Sequence, residues 1–218
     1  MADRTAAILI LLVSSQAQGA IIYDNGPPAG IGWSINGVNE TLDDFSLATD
    51  SMVSSVGFYF ENPAGFDAWN RDITYTLYSS VGGQPGDVIA TGAGVSVSTS
   101  QTSFPPTDID FPPFSLPIFF ASFDLESTLT LATGSYWLGL SGATNSGDGS
   151  VLNGTFWVTT GPGNGINRNP EFNFEFGVGS DFAFFLSDEP VPVPEPIGLA
   201  LVGTGLAAIG LLRRRRIR

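Results

Sequence analysis

The run Glu171-Phe172-Asn173-Phe174-Glu175-Phe176 alternates polar and aromatic residues one by one. A period of two suits a β-strand, whose successive side chains point to opposite faces, and does not suit a helix. Similar runs recur through the middle of the chain: Val56-Gly57-Phe58-Tyr59-Phe60, Ile73-Thr74-Tyr75-Thr76-Leu77-Tyr78, Phe156-Trp157-Val158, and residues 119–125, 136–140 and 182–186. Turn formers separate them, in Gly82-Gly83-Gln84-Pro85-Gly86-Asp87, Asn145-Ser146-Gly147-Asp148-Gly149 and Gly161-Pro162-Gly163-Asn164-Gly165. No window between the two chain ends sustains a helical period. The pattern predicts eight to ten short strands over residues 21–187 and an all-β fold. Two packed antiparallel sheets, a β-sandwich of jelly-roll type, are expected. Five prolines within residues 104–117 predict either a rigid crossover between the sheets or an extended edge strap.

Charge narrows the partners. The chain has eight arginines and no lysine, and five of the arginines are crowded into residues 213–218. Between residues 21 and 196 there are 20 acidic side chains against Arg71 and Arg168, a net charge of −18. Such a body has nothing with which to neutralise phosphates, so nucleic acid is excluded as a partner. There is also no histidine and no cysteine. Triads built on imidazole and His-ligated zinc sites are therefore ruled out, and a noncatalytic protein is expected. Missing disulfides do not argue against export, because a domain of this size can be held by its core.

Both ends read as targeting segments. Residues 6–13, Ala-Ala-Ile-Leu-Ile-Leu-Leu-Val, are apolar but too short to span a bilayer. Small residues follow, with candidate cleavage points after Ala17, Gly19 and Ala20. Residues 1–20 are therefore expected to be a signal peptide. At the other end, residues 197–212 form an uncharged stretch rich in Gly, Leu and Ala. As a helix it would extend about 24 Å, a little short of the roughly 30 Å hydrocarbon core. Arg213, Arg214, Arg215 and Arg216 follow at once as a stop-transfer cluster. By the positive-inside rule this cluster, with the rest of residues 213–218, stays cytoplasmic and the body lies outside. Ahead of the expected span, residues 188–196 hold four prolines and form an extended linker ending in Pro194-Glu195-Pro196.

The tripeptide, the apolar span and the terminal arginine run together resemble the PEP-CTERM sorting signal. The resemblance covers residues 193–218. It implies export by a bacterium with an outer membrane, a precursor held transiently in the inner membrane, and cleavage near Pro194-Glu195-Pro196 by an exosortase-type peptidase. It also implies delivery to the cell surface or the extracellular polysaccharide matrix. The body is similar, through looser cues, to the β-sandwich ectodomains that precede this signal. Those cues are Ile22-Tyr23-Asp24-Asn25-Gly26, Asp43-Asp44-Phe45, Gly83-Gln84-Pro85-Gly86 and Gly134-Ser135-Tyr136-Trp137-Leu138.

Candidate binding chemistry is sparse. No cofactor is expected, although calcium is a candidate ion, with Asp148 in its Gly-flanked loop as the candidate ligand. Trp69, in the polar run Phe66-Asp67-Ala68-Trp69-Asn70-Arg71, and Trp33 are candidates for stacking on sugars, whereas Trp137 and Trp157 lie in strand patterns and are expected in the core. That pair carries the alternative reading, a carbohydrate-binding sandwich in the extracellular polysaccharide. Carboxylate pairs that glycoside hydrolysis would need occur at Asp43-Asp44, Asp108 with Asp110, Asp124 with Glu126, and Glu171 with Glu175. In a chain this acidic such pairs arise without function.

Overall fold

The computed structural model describes residues 20–110, 113–146 and 154–189. The expected leader up to residue 19, Asp148, Pro194-Glu195-Pro196, the span 197–212 and Arg213, Arg214, Arg215 and Arg216 lie outside the described residues. Among the described residues no helix is long and apolar enough to cross a membrane.

The described chain is built of strands. In order they are β1 (Ile21–Asp24), β2 (Gly32–Ser34), β3 (Glu40–Leu47), β4 (Ser51–Glu61), β5 (Thr74–Val81), β6 (Gln84–Ala93), β7 (Val95–Gln101), β8 (Thr107–Asp110), β9 (Pro113–Leu116), β10 (Ile118–Leu131), β11 (Gly134–Ser141), β12 (Phe156–Pro162), β13 (Ile166–Asn169), β14 (Phe174–Gly177), β15 (Ser180–Phe182) and β16 (Phe184–Ser187). A single 3-10 turn at Phe66–Ala68 interrupts them. The first sheet runs β1-β16-β4-β10-β7, and β12 joins the end of β4 carrying β2 and β15. The second runs β14-β13-β3-β11-β5-β6. The proline-rich stretch makes neither a crossover nor an edge strap. Its β8 and β9 pair with each other as a separate two-stranded ribbon.

Alternation decides which side chains meet. Along β4, Val56, Phe58 and Phe60 face inward, opposite Phe123, Ala121 and Phe119 of β10. On its other side β4 aligns Phe58 with Phe184 and Val56 with Leu186. The second sheet answers with Phe45 and Leu47 of β3, Leu138 and Leu140 of β11, and Tyr75 and Leu77 of β5. All of these join one buried cluster with the inward residues of the first sheet. Two antiparallel sheets thus share one core, which is sandwich-like. Phe58 sits at its middle, with the rings of Phe60, Trp69, Phe123 and Trp157 all within 6.4 Å of its centroid.

Gly57 serves the opposite face of β4. The rings of Phe120 and Phe185 stack there at 5.7 Å and 10°, and a Cβ on Gly57 would run into the Phe185 ring.

The alternating run at 171–176 is only half a strand. Residues 171–173 form the turn between β13 and β14, with the Asn169 Oδ1 accepting from the Glu171 and Phe172 N–H groups at 3.0 and 3.1 Å. Asn173 adopts φ +49°, a left-handed conformation that asparagine tolerates. Turn chemistry overrides alternation here. At the other expected turn, 82–87, only Gly82 and Gly83 turn, at φ +61° and +76°, and β6 resumes at Gln84.

The core makes a direct prediction. Phe58→Ala leaves a void among four aromatic rings and lowers unfolding free energy by about 3–5 kcal/mol. Gly57→Ala forces Phe185 off Phe120 and costs about 1–3 kcal/mol. Urea denaturation followed by tryptophan fluorescence measures both.

Candidate functional site

The fold gives the domain two distinct ends. β1 and β16 pair with Ile21 opposite Ser187, and Ser187 lies opposite Ser55, the fifth of the eleven residues of β4. Ala20 and Asp188 therefore emerge together beside Ser54 and Ser55, in the half of β4 nearer the turn from β3. Along the eleven residues of β4 the chain travels about 33 Å at ~3.3 Å per residue. At Glu61 it meets Phe156, which pairs with Ser34, and the Ser34 carbonyl accepts from Thr41 Oγ1 at the start of β3. Arg168 pairs with Glu40 at that same far end. The chain ends leave one pole, and the β13–β14 hairpin lies at the other.

At the far pole, Arg168 organises a charged cluster. Its Nε donates to Glu40 Oε2 at 2.8 Å and its Nη2 to the Tyr78 hydroxyl at 2.6 Å. The Tyr78 hydroxyl in turn donates to Glu40 Oε1 at 2.9 Å. The guanidinium carbon lies 5.0 Å from the Tyr78 ring centre, a cation–π distance. Burial, then the Glu40 charge, pushes the Tyr78 hydroxyl up to about 12. Gly139 makes room for this: the Glu40 carboxylate lies across it where a Cβ would be. Arg168 Nη1 is 3.9 Å from Glu175. Beyond it, Arg168, Asn169, Pro170, Asn173 and Glu175 line an open groove of about 160 Å³. Phe172, on the turn beside that groove, is 76% exposed.

A second cluster is acidic. Asp43, Asp44 and Asp181 each bring a carboxylate oxygen within 4.8 Å of the others. Asp43 is fully buried. It accepts from Asn25 Nδ2 at 2.7 Å and from the Phe182 N–H at 2.6 Å, both on Oδ2, and from the Asp44 N–H at 3.1 Å on Oδ1. Asp181 accepts from the Asn164 N–H at 3.0 Å. The spread of oxygens would suit a hard cation, whose ligands sit at about 2.3–2.6 Å. Asp43, however, already gives both oxygens to N–H groups. Burial outweighs those hydrogen bonds, and with the neighbouring Asp181 and Asp44 charges it pushes Asp43 up to about 9. Burial raises Asp44 as well. Around neutral pH burial therefore favours the protonated form of Asp43.

The sugar-stacking candidates fare differently. Trp69 is 2% exposed. Its ring packs edge-on against Phe58 and Phe60, and its Nε1 donates to the Asp72 carbonyl at 2.9 Å. It is a core residue and cannot stack on a ligand. The polar run around it misleads because the chain folds back so that Asn145 bridges to Trp69, and Asn145 is in turn tied to Asn62 and Asn36. Trp33 is half-buried and packs edge-on against Phe176 at 5.0 Å. Trp137 and Trp157 are fully buried, as their strand patterns predict. Of the carboxylate pairs, Asp43-Asp44 gains Asp181 as a third partner 137 residues along the chain, which no local spacing announces. Asp124 borders an irregularity in the β10–β4 register and Glu126 lies inside it. Glu171 lies in the turn, whereas Glu175 faces Arg168 across the hairpin.

Against known proteins, the chain matches no family model, no curated protein and no solved structure.

The buried acid sets a pH dependence. Folding raises the Asp43 pKa from 3.8 to about 9, so the folded state keeps a proton that the unfolded state releases. Its stabilising contribution is complete below about pH 4 and is lost as pH rises through about 9. Asp43→Asn, which needs no proton, flattens the fall in melting temperature between pH 5 and 9. Thermal scans across that range measure it, and parallel curves for the two proteins would count against a protonated Asp43.

Proposed function

We propose that this chain is an exported, noncatalytic surface or extracellular-matrix protein. Its all-β body is a β-sandwich of jelly-roll type, delivered by a PEP-CTERM-like tail that an exosortase-type peptidase removes. The precursor sits transiently in the inner membrane, and the mature domain is released to the cell surface or the polysaccharide matrix. The observation that carries this reading is the pairing of β1 with β16. It brings Ala20 and Asp188 to one pole, so that an N-terminal leader and a C-terminal span can both reach one membrane while the domain stands clear of it. The acidity of the body supports the same reading, because −18 over residues 21–196 repels the anionic lipid surface to which the ends are tethered. The noncatalytic part is supported by the buried, hydrogen-bonded state of Asp43, which leaves it no access to a substrate.

Intact-mass measurement of the mature protein from its host tests the sorting step. The expected mass lacks Arg213 through Arg218. A mature protein that retains them overturns the proposal.

A second reading is carbohydrate binding, and the observation that favours it is the far-pole hairpin. Asn173 and Glu175 offer an amide and a carboxylate on an open groove also lined by Arg168, Asn169 and Pro170, and the exposed Phe172 lies on the same turn. An aromatic face among a few placed polar groups is what sugar recognition uses. This moves the candidate surface from Trp69 to the hairpin. On a glycan array of matrix polysaccharides the exported protein is expected to bind, and Phe172→Ala to weaken binding at least tenfold without changing the melting temperature. Equal binding by both proteins sinks this reading and leaves the export proposal intact.

A further inference from the structure

We propose that the leader is removed between Gly19 and Ala20, and that the new N-terminal ammonium pairs with Asp188, tying the mature N-terminus to the root of the sorting tail. This inference rests on the export reading. Its geometry is local and specific. The Ala20 nitrogen lies 2.8 Å from Asp188 Oδ1, and the Asp188 N–H donates back to the Ala20 carbonyl at 3.2 Å. Ala20 is exposed and Asp188 half-buried, so the nitrogen is open to solvent while its acceptor is held in place.

The tail root on the other side of this contact is fixed by serines. Ser54 Oγ donates to the Asp188 carbonyl at 2.9 Å. Ser55 Oγ and Ser187 Oγ reach the Glu189 carbonyl at 2.8 and 2.6 Å. The ordered domain therefore holds the tail through Glu189, and Asp188 is positioned by its own main chain.

The sequence narrows the cut to two bonds, and the Ala20–Asp188 contact points to one of them. Leader peptidases prefer small residues one and three positions before the cut. A cut after Gly19 presents Ala17 and Gly19, and a cut after Ala17 presents Ser15 and Ala17. A cut after Ala20 would place Gln18 in the distal small position and would also remove the residue bonded to Asp188. A cut after Ala17 would leave the ammonium on Gln18, two residues before the nitrogen that donates to Asp188. A cut at the Gly19–Ala20 bond puts the new charge on the nitrogen that already lies at hydrogen-bonding distance from the carboxylate. Hydrolysis there adds water across the amide: hydroxyl goes to the Gly19 carbonyl carbon, and a proton goes to the Ala20 nitrogen. That nitrogen takes a second proton from solvent to become the ammonium. A neutral N–H···O contact thereby becomes a charge-assisted one, shorter and stronger than its precursor.

N-terminal sequencing and intact mass of the mature protein test the cut, with Ala20 expected as the first residue. A first residue of Gln18 or Ile21 overturns this inference and leaves export standing. A mature protein that still begins at Met1 overturns both. The ion pair has its own readout. In low salt, Asp188→Asn is expected to lower the melting temperature of the Ala20 form by about 1–3 °C. The loss is expected to vanish at 1 M salt and to be absent when the Ala20 amine is acetylated. The same shift in acetylated and free forms overturns the pairing.

Discussion

The antiparallel pairing of β4 with β10 is the contact on which the rest of this domain depends. It joins segments some sixty residues apart in a ten-position register. It puts Phe58, Val56 and Phe60 on one face together with Phe119, Ala121 and Phe123. Apart from the β8–β9 ribbon, the other strands build out from this pair or belong to the sheet that covers it. β16 and then β12 extend β4 on its free side, and β7 extends β10. A one-residue slip would exchange Phe58 for Gly57 on the inner face and remove the centre of the aromatic cluster. Register is therefore set by side-chain volume as much as by hydrogen bonds.

With no cysteine to staple it, the domain relies on this aromatic packing. Trp157 shows how closely packing and polar satisfaction are joined. Its ring lies within 6.4 Å of Phe58, Phe182 and Phe184, and its Nε1 donates to the Ala183 carbonyl at 3.1 Å. That carbonyl also accepts from the Tyr59 N–H. Ala183 is where β15 ends and β16 begins, so one residue satisfies an indole and lets the chain pass from β12 to β4 as its neighbour. Trp137 in β11, equally buried, has no such partner for its Nε1 among the described residues, and an unpaired buried donor costs about 1–3 kcal/mol.

Much of this was legible in the sequence, and the rest was hidden for identifiable reasons. Runs such as 56–60, 119–125 and 136–140 are strands because their alternation and their burial agree. The strands β6 and β7 escaped because their residues are mostly Ser, Thr, Gly and Val on exposed edges, where alternation carries little hydrophobic contrast. Trp69 sits among polar neighbours because those neighbours, Asp72 above all, hydrogen-bond the loop back onto the domain. Thr144 donates to Asp72 through both its N–H and its hydroxyl. The run at 171–176 was overruled by Asn169, whose side chain caps the following two N–H groups. Asp181 could not be linked to Asp43 from spacing at all, since only the closed sheets bring β15 beside β3.

The separation of the two poles follows from the same pairing. Because β16 runs antiparallel to β4 and β1 antiparallel to β16, the first and last described residues lie together beside Ser54 and Ser55 of β4. The far pole is then left to loops and to the β13–β14 hairpin, free of any tether. Arg168, one of only two cations in a body of −18, is spent there on holding that hairpin to Glu40 and Tyr78 rather than on balancing the acidic cluster. The acidic cluster is left instead to N–H donors, with Asn25 and Phe182 donating to Asp43 and Asn164 to Asp181. The charge of the body is thus arranged by the fold so that its few positive groups do positional work: Arg168 holds the hairpin at one pole. An ammonium at Ala20 would do the equivalent at the other.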